Sequence, residues 1–201
     1  MRRNRMEAFS DGVMAILITI MVLELKIPSE PTFAALAERW PLFLCYVLSF
    51  VYLGIYWNNH HHMLHTVAVV DGPTLWANNH LLFWLSLVPF VTEWFGESEF
   101  AAVPAVAYGF VMLMAGTAYY ILTLSILRSP ENAALQRATT NKAKELISIV
   151  FYLAGIAFGF FAPMVSLILY GVVAATWLIP DRRIERELRL NAVHAHPAKE
   201  E

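Results

Sequence analysis

Ionisable and amide side chains gather at three places at the ends of the first apolar runs of the chain. Ser10 and Asp11 stand near the head of the first apolar run, in Arg5-Met6-Glu7-Ala8-Phe9-Ser10-Asp11-Gly12. Trp57-Asn58-Asn59-His60-His61-His62-Met63-Leu64-His65 closes the second run, and Asn78-Asn79-His80 opens the third. A carboxylate where a helix enters a bilayer is costly unless it meets a cation, a donor or water. Asp11 therefore needs partners from another helix, arginine or histidine. Two roles are open to it: a buried network that sets helix position, or a direct ligand for an ion. His60 or His61 is expected to donate to Asp11 while the other histidines face water, and histidine titrates near neutrality, so the layer is pH-sensitive in principle.

His61 and His65 are four apart, the spacing that puts two imidazoles on one helix face for zinc. Against a metal centre, no H-E-x-x-H pattern and no cysteine pair supports them, and a third ligand has to come from elsewhere, such as His80 or Asp71. No metal and no other cofactor is expected. The sequence has no glycine-rich phosphate loop, nucleotide motif or nucleophile elbow, so an enzyme is not expected either. Cys45, the one cysteine, sits in an apolar run and reads as a small buried hydrophobe.

A different pattern follows Asp11. Ile16, Ile20 and Leu23 recur at i, i+4 and i+7, with Thr19 beside them. On an isolated helix such a stripe is core or lipid contact. Around the axis of an oligomer it becomes stacked rings of branched apolar side chains, which gate by dewetting or force an ion to shed water. A T-V-G-Y-G-like filter is absent, so potassium selectivity could not use a carbonyl ladder.

The elements that carry these residues follow from composition. The chain has 201 residues, 58% hydrophobic and 15% charged, with mean hydropathy +0.54. A soluble domain carries about 25% charged residues. So much apolar surface cannot be hidden in one core of this size, which excludes a soluble monomeric enzyme and a disordered chain and leaves an integral membrane protein. Net charge is −2, which gives no sign of a nucleic-acid partner. Crossing about 30 Å of hydrocarbon takes roughly 17–25 residues. Six spans are predicted, at about 7–27, 41–62, 75–95, 101–127, 145–162 and 164–180. Pro28 and Pro31 are expected to close the first, Asp71-Gly72-Pro73 to open the third, and Ala162-Pro163 to turn a tight hairpin between two short final spans. Pro89 and Pro104 are the only hints of helices broken at mid-membrane. Gly155-x-x-x-Gly159 permits close helix approach.

Arg2, Arg3 and Arg5 ahead of an apolar stretch imitate a signal peptide, but Asp11, Glu24 and Lys26 fall where none should, so this reads as a retained first helix. With both termini inside, 12 of the 14 Lys and Arg residues lie on the inner side and only Lys26 and Arg39 lie outside. That places the chain in the cell membrane with cytoplasmic termini. Residues 1–180 form one six-helix unit, and 181–201 a cytoplasmic tail whose Ile184, Leu188 and Leu190 suit a short helix on the membrane face or a frayed end.

Arg5-x-x-x-Phe9-Ser10-Asp11 at the head of the first helix, with Trp57-x-x-His60-His61 at the end of the second, resembles the transmembrane-protein-175 family of bacterial and endolysosomal potassium channels. The resemblance covers nearly the whole chain. It implies a homotetramer in which each first helix lines a central pore, with Ile16, Ile20 and Leu23 at the constriction and Thr19 in a hydroxyl layer tied to selectivity. Arg5, Phe9, Ser10, Asp11, Trp57, His60 and His61 would then form the polar network holding the pore helices. The permeant partner implied is potassium, passing passively; the competing class is a proton-coupled transporter using Asp11 and the histidines as relays.

Overall fold

Prolines, caps and ion pairs decide where the apolar runs break. The structure, a computed structural model, describes residues 3–65, 67–129, 132 and 142–178. Among them are eight helices and no strand: α1 Arg3–Leu23, α2 Phe33–Glu38, α3 Trp40–His65, α4 Gly72–Ser86, α5 Val88–Glu97, α6 Ala102–Leu127, α7 Lys142–Gly159 and α8 Pro163–Leu178. Arg2, Arg137 and the tail with its expected surface helix lie outside the described residues.

The first span begins earlier and ends sooner than 7–27. Leu25 N–H turns back onto the Val22 carbonyl at 3.2 Å, and Lys26 leaves the helix axis for Glu93 at 3.4 Å and Glu97 at 3.7 Å. α1 thus ends before Pro28, and Pro28 and Pro31 belong to the connection that follows. Thr32 then caps α2, its hydroxyl accepting from Ala35 N–H at 3.2 Å. Arg39 pairs with Glu97 at 3.2 Å. Both cations of the expected outer side are therefore matched with acids, although exposed pairs contribute only about 0–1 kcal/mol each. Glu24 stands hydrogen-bonded to Glu93, and this shared contact, with the repulsion between the two carboxyls, raises its pKa above the ordinary carboxylate value.

Asp71 opens the third span as expected, accepting from Thr74 N–H at 2.9 Å. Hydrogen bonding from the Thr74 hydroxyl, and then from its backbone N–H, holds the Asp71 carboxyl below the ordinary carboxylate pKa. The single helix predicted over 75–95 is instead two, α4 and α5. Pro89 has no N–H, so Leu85 loses its helical donor and the helix breaks at Leu87, whose own N–H takes a tighter bond to Trp84 O at 3.3 Å. The ladder resumes at once, Val91 N–H donating to Leu87 O at 3.1 Å. This is a proline kink, not an unwound segment. Pro104 lies in the first turn of α6, where a missing N–H costs nothing.

The hairpin at Ala162-Pro163 forms as predicted: Ala162 N–H bonds Phe158 O at 2.7 Å, and α8 starts at the proline. Close approach depends on the glycines. Gly155 lies flat against the Tyr170 ring of α8, and a Cβ on Gly159 would stand 2.7 Å from Val106 Cγ2 of α6. Ser166 Oγ donates to the Gly155 carbonyl at 2.7 Å.

By length and composition α1, α3 and α6 suit a membrane crossing, and α8 is a shorter apolar helix. The chain is a multi-pass membrane protein. α6 is central, lying against α4, α5, α7 and α8, whereas α1 stands at the edge on α3, α4 and α5. Cys45 is fully buried.

Candidate functional site

The head of α1, the end of α3 and the start of α4 meet at one end of the bundle. Ser10 and His60 are wholly buried and Asn78 nearly so. Asn78 Nδ2 donates to Ser10 Oγ at 3.0 Å, and Ser10 Oγ in turn donates to Met6 O at 2.9 Å. His60 Nε2 meets Asn78 Oδ1 at 2.8 Å. An amide oxygen only accepts, so His60 carries its hydrogen on Nε2, which leaves Nδ1 as a buried acceptor with no partner among the described residues.

Asp11 does not meet a histidine. Its Oδ1 accepts from the Trp57 indole Nε1–H at 3.1 Å, which corrects the expectation that His60 or His61 is the donor. The reason is the register of two antiparallel helices. Each four-residue step along α1 is matched by a four-residue step back along α3: Asp11 faces Trp57, Glu7 faces His61, and Arg3 donates to the His65 carbonyl at 3.3 Å. Glu7 Oε1 lies 3.1 Å from His61 Nδ1 and 3.8 Å from His65 Nε2. His60, one residue off this face, points at α4 instead.

Glu7 is the residue that sequence reasoning missed. Its signal was present, because Arg3, Glu7 and Asp11 repeat at the same interval as Trp57, His61 and His65. The suggested third ligands are otherwise engaged: His80 accepts from Trp84 Nε1 at 2.9 Å, and Asp71 caps α4. Arg5 and Phe9 take no part in these contacts and lie on the exposed side of α1. A second missed residue is Asn132, buried, with Oδ1 accepting from Ala68 N–H at 2.8 Å and Nδ2 donating to Ile126 O at 3.0 Å. It pins the connection after α3 to the end of α6, and no local pattern marks it.

The remaining predicted residues share one face of α1. Met6, Ser10, Met14, Leu17 and Met21 are buried against the subunit. On the other side Ile16 is 57% exposed, Ile20 37% and Leu23 77%. Thr19 is exposed among them, its hydroxyl donating to Ile16 O at 2.9 Å. With its hydrogen tied back to the helix, this hydroxyl offers oxygen lone pairs outward.

Fold and site together define an α-helical multi-pass membrane protein whose first helix is anchored at one end and bare along one face. Residues 5–89 match the family model described as endosomal/lysosomal potassium channel TMEM175. A potassium channel of Chryseobacterium sp. strain P1-3 is 54% identical over 192 residues, covering 95% of this chain and 100% of that protein. A potassium channel of Streptomyces collinus is 36% identical over 134 residues, covering 63% of this chain and 65% of that one. The crystal structure of a lysosomal potassium-selective channel TMEM175 homolog from Chamaesiphon minutus superposes with a TM-score of 0.79 at 27% identity, over 89% of this chain and 97% of that chain. The chain belongs to the TMEM175 family.

Proposed function

We propose that the chain is the subunit of a passive cation channel that favours potassium, a homotetramer in the cell membrane with four copies of α1 around the pore. The observation that carries this reading is the bare Ile16, Thr19, Ile20 and Leu23 face on a helix at the subunit's edge. The relatives named as potassium channels support it. Around a four-fold axis, Ile16, Ile20 and Leu23 stack as apolar rings about 6 Å and about 4.5 Å apart along the pore. Such rings make an ion shed water, and they set a barrier rather than a fitted cage. Thr19 lies between two of them and offers the only hydroxyl oxygens in that stretch.

Residues 1–180 act as the six-crossing channel unit, α4 and α5 serving as one kinked crossing, with both termini cytoplasmic; the 12-to-2 split of cations supports that orientation. A proton-coupled relay is not favoured. Asp11 is held by Trp57 and His60 by Asn78, all at one end of the bundle, and the kink at Leu87 keeps its backbone bonded.

Thr19→Cys tests the face directly. A thiol in a watery pore ionises and reacts with a charged, membrane-impermeant thiosulfonate, whereas one in hydrocarbon does not. Labelling is expected to block most of the potassium flux, with little background because Cys45 is fully buried. Intact flux and an unreacted cysteine would mean that this face meets lipid.

A further inference from the structure

We propose that Glu7, His61 and His65 form a binding site for a first-row transition dication, zinc above all, that staples the inner end of α1 to α3. Each of the three offers one donor atom, and these atoms lie within 4.8 Å of one another. Zinc held tetrahedrally at about 2.0–2.1 Å has ligand atoms about 3.3–3.4 Å apart. The observed edges of 3.1 Å from His61 Nδ1 to Glu7 Oε1 and 3.8 Å from His65 Nε2 to the same oxygen bracket that value. Two imidazoles and a carboxylate suit zinc, copper or nickel rather than magnesium or calcium. They leave a fourth position for water, which reaches the site past the exposed His65.

The cluster is set by its surroundings and not only by proximity. The His61 ring stacks on Trp57 with centroids 6.0 Å apart and planes at 22°, and Trp57 is itself fixed by Asp11. His61 Nε2 lies 3.1 Å from His65 Nε2, so one ring donates a hydrogen to the other there. A dication bound through His61 Nδ1 and His65 Nε2 breaks that contact, and the hydrogen of each ring then rests on its other nitrogen. The two helices contribute one and two ligands respectively, so occupancy ties them together. Nothing in this site depends on what α1 lines.

The test is calorimetric titration of zinc into the full chain, stripped with chelator and held in mild detergent, with magnesium as a second probe. One zinc per subunit is expected, with no magnesium binding. Glu7→Gln, which retains a hydrogen-bond acceptor for His61, and His65→Ala should each weaken zinc by roughly 100-fold or more, since even outer-shell changes cost 10–100-fold. Zinc should raise the melting temperature of the unaltered chain and not of either variant. His194 and His196 offer a rival site in the tail; the double variant His194→Ala/His196→Ala should bind zinc unchanged. X-ray absorption of the zinc-loaded unaltered chain, which needs no variant to fold, should show two imidazoles and light oxygen donors. Unweakened binding by the Glu7 and His65 variants, loss of binding in the tail variant, or a coordination shell without imidazole would overturn the assignment.

Discussion

Ile16→Asn should raise potassium flux roughly tenfold or more and bring potassium and sodium rates closer together. Ile16 is 57% exposed on the bare face of α1, and in the proposed tetramer four copies of it form the innermost of the three apolar rings. An isoleucine ring offers no hydrogen bond to replace the water an ion loses there, so it contributes a barrier to every crossing. A carboxamide restores donors and acceptors at that level and wets the constriction. A barrier lower by about 1.4 kcal/mol already gives a tenfold rate. Discrimination should weaken as well, because less water is stripped and the remaining selection falls to Thr19. Ile16→Ala should act in the same direction but less, since it widens the ring without supplying polar atoms. The substitution removes no intrasubunit contact of the buried methionine stripe, so the subunit should fold as before. Radiotracer uptake measured for both ions checks this, and unchanged rates in both variants would remove Ile16 from the pore.

Asp11→Ala should instead act on assembly. Trp57 Nε1–H loses its carboxylate acceptor, a hydrogen bond that contributes about 0.5–1.5 kcal/mol, and α1 loses one rung of the register that sets its rotation on α3. The face α1 presents to its neighbours depends on that rotation. In a tetramer the loss recurs in every subunit, and four losses of about 1.4 kcal/mol amount to roughly a 10⁴-fold weaker assembly constant. Crosslinking in mild detergent should then show monomers and dimers where the unaltered chain gives four subunits, while channels that do form conduct with unchanged selectivity. A stable tetramer with altered selectivity would make Asp11 an ion contact.

Much of this was legible in the residues. The long apolar runs, the Asp71 cap and the Ala162-Pro163 hairpin are local features, and local chemistry decided them. The Ile16, Ile20 and Leu23 stripe was legible as a stripe, but its residues alone read as packing or lipid contact, because Met6, Met14, Leu17 and Met21 make the buried face equally apolar. What was not legible depended on contacts distant in the chain. α1 ends at Leu23, and Lys26 beyond it reaches acids on α5, far away in sequence, a pairing that no reading of Pro28 could reveal. The end of α3 is polar on every side, Asn58 through His62 without a break, so its sequence does not say which ring faces α1 and which faces α4. Only the matched four-residue steps of α1 and α3 resolve it, giving Trp57 to Asp11, His61 to Glu7 and His60 to Asn78.

Potassium flux into proteoliposomes holding the purified chain, set against sodium and against an imposed pH gradient, bears most directly on the proposed channel. Uptake that runs down the potassium gradient, exceeds sodium uptake and ignores the pH gradient is the expected result. Uptake that appears only when a proton gradient is imposed would contradict a passive pore and turn attention to Asp11, Glu7 and the histidines as a proton path.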